Sequence, residues 1–491
     1  TTFSAVKLGS KTFTSEYHFA AGGYGTGSVT NLVASITQPG CNCGYGYDDN
    51  GNIASATLNG KWTGYTYDAL GQLIQVNDHS DTRSGENGTT WKYTYDLGGN
   101  ILKKERFAYN DTTTPLETIT YTYGDANWRD KLTAVNGSTI RYDAIGNPLN
   151  DGTWTYTWQN GRQLQKMQKA GMTAEFVYNA DGLRVQKTVN GVATKYTLHG
   201  KNVVHMTSGA DELHFFYDAQ NRPAVVVYNG VPYAYVKSLQ GDIVAILDEN
   251  GNAVVSYGYD AWGAPLWCTG ELAETLGKVQ PFRYRGYVFD EETGLYYLRS
   301  RCYNPQWGRF VNADAEIAVE AKLWDAKLFL YCANNPVRYT DDGGNSFWDV
   351  LADCGKALLV AAVVVAVVAV VIAATGGGGG FALAAAGGEI ISGAAVADAA
   401  MTTAVAAEAT GASLMFASKL GKEYEDGNYS NHTKLNNVSE NEKFEEALRR
   451  LKRDYNLNLN RGQRRRLHDE ITGMGYSILE IVAEGWAMFG G

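Results

Sequence analysis

Cysteine is scarce in this chain: six residues in 491, at Cys41, Cys43, Cys268, Cys302, Cys332 and Cys354. None falls in a C-x-x-C pair and the histidines show no paired ligand spacing, so no metal site and no cofactor are expected. Cys41 and Cys43 stand too close along a strand to bridge readily, and so few thiols in so long a chain fit a fold that does not depend on disulfides. Basic excess is lacking as well. Against 52 Asp and Glu stand 42 Lys and Arg, a net charge of −10, which argues against a general nucleic-acid binder. No leader is legible either: the chain opens Thr1-Thr2-Phe3, without Met and without a charged-then-apolar stretch. It opens in mid-repeat, so a fragment of a longer product is expected. The length exceeds one ordinary core, and two or three regions are expected.

Tyrosine is present in quantity, with 28 of 32 residues before position 350. Many stand in a recurring phrase, Tyr-Asp followed by a Gly-Asn or Gly-Gln corner. It occurs at Tyr47-Asp48 with Gly51-Asn52, Tyr67-Asp68 with Gly71-Gln72, Tyr95-Asp96 with Gly99-Asn100 and Tyr142-Asp143 with Gly146-Asn147. Looser copies follow at Tyr178-Asn179, Tyr217-Asp218 and Tyr259-Asp260. A period of roughly 20 residues, sometimes stretched, is what an array of short hairpins produces. The Asp side chain can accept from amides of its own turn, and Gly supplies the positive φ of the next corner. Tyrosines stacking between neighbouring hairpins suit a wound antiparallel sheet better than a compact core.

The densest run begins at Pro281-Phe282-Arg283-Tyr284-Arg285-Gly286-Tyr287 and continues through Asp290-Glu291-Glu292-Thr293-Gly294-Leu295-Tyr296-Tyr297-Leu298-Arg299. Arg301-Cys302-Tyr303-Asn304-Pro305, Gly308-Arg309-Phe310 and Ala313-Asp314 follow, and the run closes on Asn334-Asn335-Pro336 and Asp341-Asp342-Gly343-Gly344. This string resembles the core of Rhs/YD-repeat proteins, bacterial relatives of teneurin shells. The resemblance implies a mainly β fold, a spiral antiparallel shell of YD-repeat hairpins over residues 1–280 closed by a core plug over 281–345. Some 340 residues are short beside longer relatives, so an open, partial shell is expected. In the toxin-carrying members two aspartates cut the chain just after the core, in the manner of an aspartic protease. The matching residues here are Asp314 and Asp341, with Arg309 in support and the cut at Asn345–Ser346. Two close carboxylates that share a proton can serve as base toward water and acid toward the leaving amide. The family's prolines are replaced by Ala315 and Asp342, which loosens the loops that aim the carboxylates, and Asp341 and Asp342 compete for the second role.

Composition changes after Trp348. Leu358 to Ala374 is an unbroken apolar run of 17 residues, followed by five glycines and a small-residue stretch to Ala417. Three readings compete for residues 346–418: a helical hairpin inserted in a target membrane, an apolar segment buried in the shell, and an ordinary membrane anchor. Residues 419–491 read as a small α-helical module. Ser439-Glu440-Asn441-Glu442 forms a capping box, with Phe444, Ala447, Leu448 and Leu451 at helical spacing after it. Between Lys443 and Arg466 nine basic residues face three acidic ones. Arg461, Arg464, Arg465 and Arg466 are candidate phosphate contacts, with His468 and Glu470 as candidate acid–base groups; the alternative is a plain solvated helix.

Two classes of function remain. In one, the shell encloses and delivers its own C-terminal effector in competition between bacteria, with nucleic acid or a target-cell membrane as the object. In the other, the repeats are a surface adhesion or carbohydrate-contacting scaffold. The resemblance implies an immunity protein as a further partner. Tyr331-Cys332-Ala333 ahead of Asn334-Asn335-Pro336 resembles versions from Gram-positive bacteria and implies a secreted or wall-associated product.

Overall fold

The computed structural model describes residues 2–21, 29–315, 327–341, 343–344, 348–349, 368–371 and 382–384, together with isolated positions between 444 and 467. Two compact units are present, residues 1–386 and 387–491.

The first unit is built from two sheets of 14 strands each. In one, twelve strands run in chain order from Thr2–Leu8 to Ser138–Thr139, and two later strands, Val368–Val371 and Ala382–Ala384, extend it beyond Thr2–Leu8; the other runs in strict chain order from Arg141–Tyr142 to Pro265–Thr269. Strands that follow one another in the chain pair antiparallel, Val368–Val371 pairs parallel with Thr2–Leu8, and neither sheet closes on itself among the described residues. The only α-helix among the described residues before 340 is the single turn Leu276–Val279. The wound β-strip expected from the repeats is therefore present, up to the open ends of each sheet.

Each repeat is fixed by one side chain. The Oδ1 of Asp68 accepts from the amides of Leu70 (2.9 Å) and Gln72 (2.9 Å), and its Oδ2 accepts from the Gln72 side-chain amide at 2.7 Å. The same three bonds recur at Asp48, Asp96, Asp143 and Asp248. In the first sheet the turns at Asp48, Asp68 and Asp96 line one rim of the strip. The other rim carries two-residue Asn-Gly turns such as Asn59-Gly60, with φ of 47° and 81°, whose twist suits a hairpin, or longer loops. Just before the Asp turns the register slips by one residue, as between Thr66 and Tyr67 or Thr94 and Tyr95. Such a bulge increases local right-handed twist, and its repetition winds the strip. The repeat tyrosines stitch neighbouring turns through their hydroxyls: Tyr67 donates to the Ile53 carbonyl (2.7 Å), Tyr95 to Leu73 (2.6 Å), Tyr178 to Leu164 (2.8 Å) and Tyr217 to Val203 (2.7 Å). The hydroxyl thus joins successive repeats, a role the stacking expectation left out.

The segment after residue 280 folds into a four-stranded sheet of Val288–Asp290, Leu295–Tyr297, Cys302–Asn304 and Arg309–Phe310. Its aromatic residues join both large sheets in one core: Tyr284, Tyr296, Tyr303, Phe310 and Tyr331 pack with Ile53, Leu73 and Ile101 of the first and Leu247 and Trp262 of the second. Buried Tyr296 and Tyr303 donate to the carbonyls of Gly263 (2.8 Å) and Trp262 (2.7 Å). Asp290 sits between Arg184 (2.6 Å) and Lys187 (3.3 Å) of the second sheet. The adjacent asparagines fasten the plug to the first. Asn335 Nδ2 donates to Asn52 Oδ1 (3.2 Å) and the Gly71 carbonyl (2.9 Å), while Asn334 Nδ2 donates to Gln72 Oε1 (2.9 Å) and the Gly99 carbonyl (2.7 Å). Three consecutive repeat turns are thereby read by two neighbouring side chains. The backbone that aims them is left-handed at Cys332, Ala333 and Asn334, with φ of 49°, 51° and 60°.

Of the apolar run, Val368–Val371 is described, and it is a strand beside Thr2–Leu8, paired in turn with Ala382–Ala384. The helix expected there is corrected to strand at these positions. β-Branched valines favour extended backbone, and the edge strand Thr2–Leu8 offers free ladder groups. No helix among the described residues is long and apolar enough to cross a membrane. In the second unit the described positions of 444–452 and 463–467 are helical, with Phe444, Ala447, Leu448 and Leu451 buried. A reciprocal cap joins Asn460 and Gln463, each side chain accepting from the other's amide at 3.0 Å. The box expected at 439–442 lies outside the described residues.

Candidate functional site

Asp314 ends the stretch that follows Arg309–Phe310, and Asp341 follows the short strand Tyr339–Thr340; they are 7% and 2% exposed. The structure brings both to one side chain. Arg301 Nη2 lies 2.9 Å from Asp314 Oδ2 and 3.5 Å from Asp341 Oδ2. Arg301 Nη1 donates to the Leu328 carbonyl at 3.0 Å, and its guanidinium lies 3.5 Å over the centre of the Phe310 ring. Burial pulls the guanidinium below the ordinary arginine value, and the two carboxylates oppose that shift.

The backbone is held as firmly as the side chains. The Asp314 amide donates to the Leu328 carbonyl at 2.8 Å. The Asp341 amide donates to the Tyr287 hydroxyl at 2.8 Å, and the same hydroxyl contacts Thr340 Oγ1 at 2.8 Å. Gly344 is gripped from both sides: its amide donates to Asp341 Oδ1 (2.6 Å) and its carbonyl accepts from Arg301 Nε. A carboxylate can take a proton from water, and a guanidinium can steady the negative charge that builds on a carbonyl oxygen under attack. An arginine stands between the two carboxylates, where the sequence reading had a shared proton.

Arg309, expected in support, is turned to the first sheet: Nη1 donates to the Tyr123 hydroxyl (2.8 Å) and Nη2 to the Asp130 carbonyl (2.6 Å). It locks the plug to the shell, and Arg301 holds the place beside the aspartates. Arg301 was legible as part of the core run; its role was not, because its partners stand 13 and 40 positions away. Asn345, Ser346 and Asp342 lie outside the described residues, as do Arg461, Arg466, His468 and Glu470. Arg464 and Arg465 are on the described helical stretch, and Arg464 Nε donates to the Leu459 carbonyl at 2.9 Å.

Similarity to known proteins agrees with this architecture. The family described as Teneurin YD-shell matches residues 46–337, a span that includes Asp314 and stops short of Asp341. The tRNA3(Ser)-specific nuclease WapA of Bacillus spizizenii is 35% identical over 292 residues, 58% of this chain and 12% of that protein. Toxin protein Tse5 of Pseudomonas aeruginosa is 24% identical, over 51% of this chain and 25% of its own length. The chain thus spans a small part of the relatives it matches. Among solved structures, a TcdB2-TccC3-Cdc42 crystal structure superposes on 70% of this chain and 19% of the other with a TM-score of 0.54 at 19% identity, a likeness of fold. The match over more than half its length, on repeats and plug together, places the chain in the teneurin YD-shell family, among its Rhs/YD-repeat, toxin-associated members.

Proposed function

We propose that this chain is the closing part of a β-shell that encloses and delivers a C-terminal effector, and that the Asp314–Arg301–Asp341 cluster cuts the chain behind the plug, after Asn345. One observation carries the reading: Gly344, the last described residue before the expected cut, has its amide held by Asp341 and its carbonyl by Arg301, the arginine that also pairs with Asp314. In the proposed step one carboxylate takes a proton from water, whose oxygen adds to the carbonyl carbon of Asn345. Arg301 steadies the resulting oxyanion. The C–N bond to Ser346 then breaks, and the amine leaves with a proton, so that the products are a new carboxylate and a new amino terminus. The test is mass measurement on purified chain after long incubation. The expected products are fragments ending at Asn345 and beginning at Ser346, with Asp314→Asn and Asp341→Asn each leaving the chain whole and the sheet intact. A wild-type chain that stays whole sinks the self-cleavage reading.

The freed part would be the apolar segment and the helical tail. The Bacillus spizizenii relative is named as a tRNA3(Ser)-specific nuclease, but the match to it covers 12% of its length. For this chain a nucleic-acid target rests on the basic residues between Lys443 and Arg466. A secreted or surface-associated product, and an immunity protein that neutralises the effector, follow from the same reading.

A further inference from the structure

Away from the plug, three side chains converge on the second sheet. Strands Asn202–Ser208 and Asp211–Tyr217 form a hairpin in which His205 stands directly opposite His214, and Thr207 opposite Glu212. Met206, Leu213 and Phe215 of the same strands are buried in the core, so alternation turns His205, Glu212 and His214 to the other face. There the two imidazoles stack, with ring centres 4.6 Å apart and planes 28° apart. Both Nε2 atoms point at one oxygen: Glu212 Oε1 lies 3.0 Å from His205 Nε2 and 3.5 Å from His214 Nε2. The three candidate ligand atoms all lie within 4.8 Å of one another.

We propose that His205, Glu212 and His214 bind a divalent transition metal of the zinc type, clipping the two strands together on the solvent face of the sheet. Zinc bonds of about 2.0–2.1 Å to nitrogen and oxygen in a tetrahedron put neighbouring ligand atoms about 3.3 Å apart. The observed 3.0 and 3.5 Å bracket that spacing. A surface ion pair is the competing account, and it fits the convergence less well. It accounts for the 3.0 Å contact of His205 with Glu212, whereas one metal ion takes the three ligand atoms together. Thr197 Oγ1, 3.5 Å from His205 Nδ1 on the next strand, sits where it can fix that ring's orientation. The side chains are 28%, 58% and 39% exposed, so an ion reaches them from solvent and water completes its coordination. The ligands are split across a turn, which is why no linear spacing announces the site.

The test uses tag-free full-length chain dialysed against zinc chloride, with bound zinc measured per chain and melting followed in parallel. One zinc per chain is expected, with a higher melting temperature. His205→Ala and His214→Ala should each weaken binding at least about tenfold and abolish the melting shift, while His199→Ala, on the neighbouring strand, leaves both unchanged. Circular dichroism shows that the variants keep their sheet. A wild-type chain that takes up no more zinc than the His205→Ala/His214→Ala double variant overturns the proposal, whether both bind none or both bind zinc elsewhere.

Discussion

At the scale of single residues, burial and backbone geometry decide what each position tolerates. Lys104 is buried with its ammonium donating to the Gln306 carbonyl at 3.0 Å, and burial pulls its pKa down to about 8. Between that value and the ordinary lysine range the unfolded chain holds a proton that the folded chain has released. Stability contributed by this residue therefore rises with pH across the window, and below it the folded state carries a desolvated charge. Lys104→Met should thus melt higher than wild type at pH 7, by up to about 3 kcal/mol, and the gap should close towards pH 10.5. The Gln306 carbonyl keeps its bond from the Tyr121 hydroxyl at 3.2 Å in the variant. An unchanged or lowered melting temperature at pH 7 would refute this. Two glycines make a second comparison. Gly71 and Gly263 both have left-handed φ, at 77° and 87°. A Cβ at Gly71 meets nothing within 4 Å, whereas one at Gly263 falls 2.5 Å from the buried Tyr284 ring. Gly71→Ala should cost about 1–2 kcal/mol. Gly263→Ala should add an overpacking penalty of about 1–3 kcal/mol. Urea unfolding of the two variants tests the order.

At the scale of elements, the plug is held by a register shared with the repeats. Asn334 and Asn335 both touch the turn Asp68–Gln72, one at Gln72 and one at Gly71. Replacing either by Ala takes a donor from a turn carbonyl, Gly99 for Asn334 and Gly71 for Asn335, while Asn52 Oδ1 keeps its bond from Arg338 Nη1 (3.2 Å), and each change should cost about 1–3 kcal/mol. Because they share that turn, the double variant should cost less than the two single effects combined; simple additivity in denaturant midpoints would show that each asparagine acts alone. Much of this level was legible beforehand. The Asp-x-x-Gly turn is local, so its residues lie side by side in the chain, and the strands between such turns follow from it. The plug was legible by resemblance. What escaped was everything that depends on folding distance. Arg301 meets its aspartates, and His205 meets His214, only once strands are laid in register, and Val368–Val371 pairs with an edge strand more than 350 positions earlier in the chain.

At the scale of the whole molecule, the proposal separates a container from its contents, and growth of a host bacterium distinguishes them. Residues 346–491 expressed alone under tight control should slow growth, while the full chain carrying Asp314→Asn should not. Residues 419–491 should retain the effect if nucleic acid is the target and lose it if membrane damage through Leu358–Ala374 is responsible. If neither piece affects growth, the scaffold reading takes its place. The asparagine clamp also has a consequence for where this shell can vary. Asn334 and Asn335 bridge turns anchored at Asp48, Asp68 and Asp96, so the spacing along that rim is gauged from inside by two adjacent residues. An insertion there would throw the gauge out of step. The opposite rim has no such ruler and already alternates two-residue turns such as Asn59-Gly60 with the longer loops at 79–88 and 109–116. That rim is the place to look for natural length variation between related shells, and the place to graft a reporter without unseating the plug.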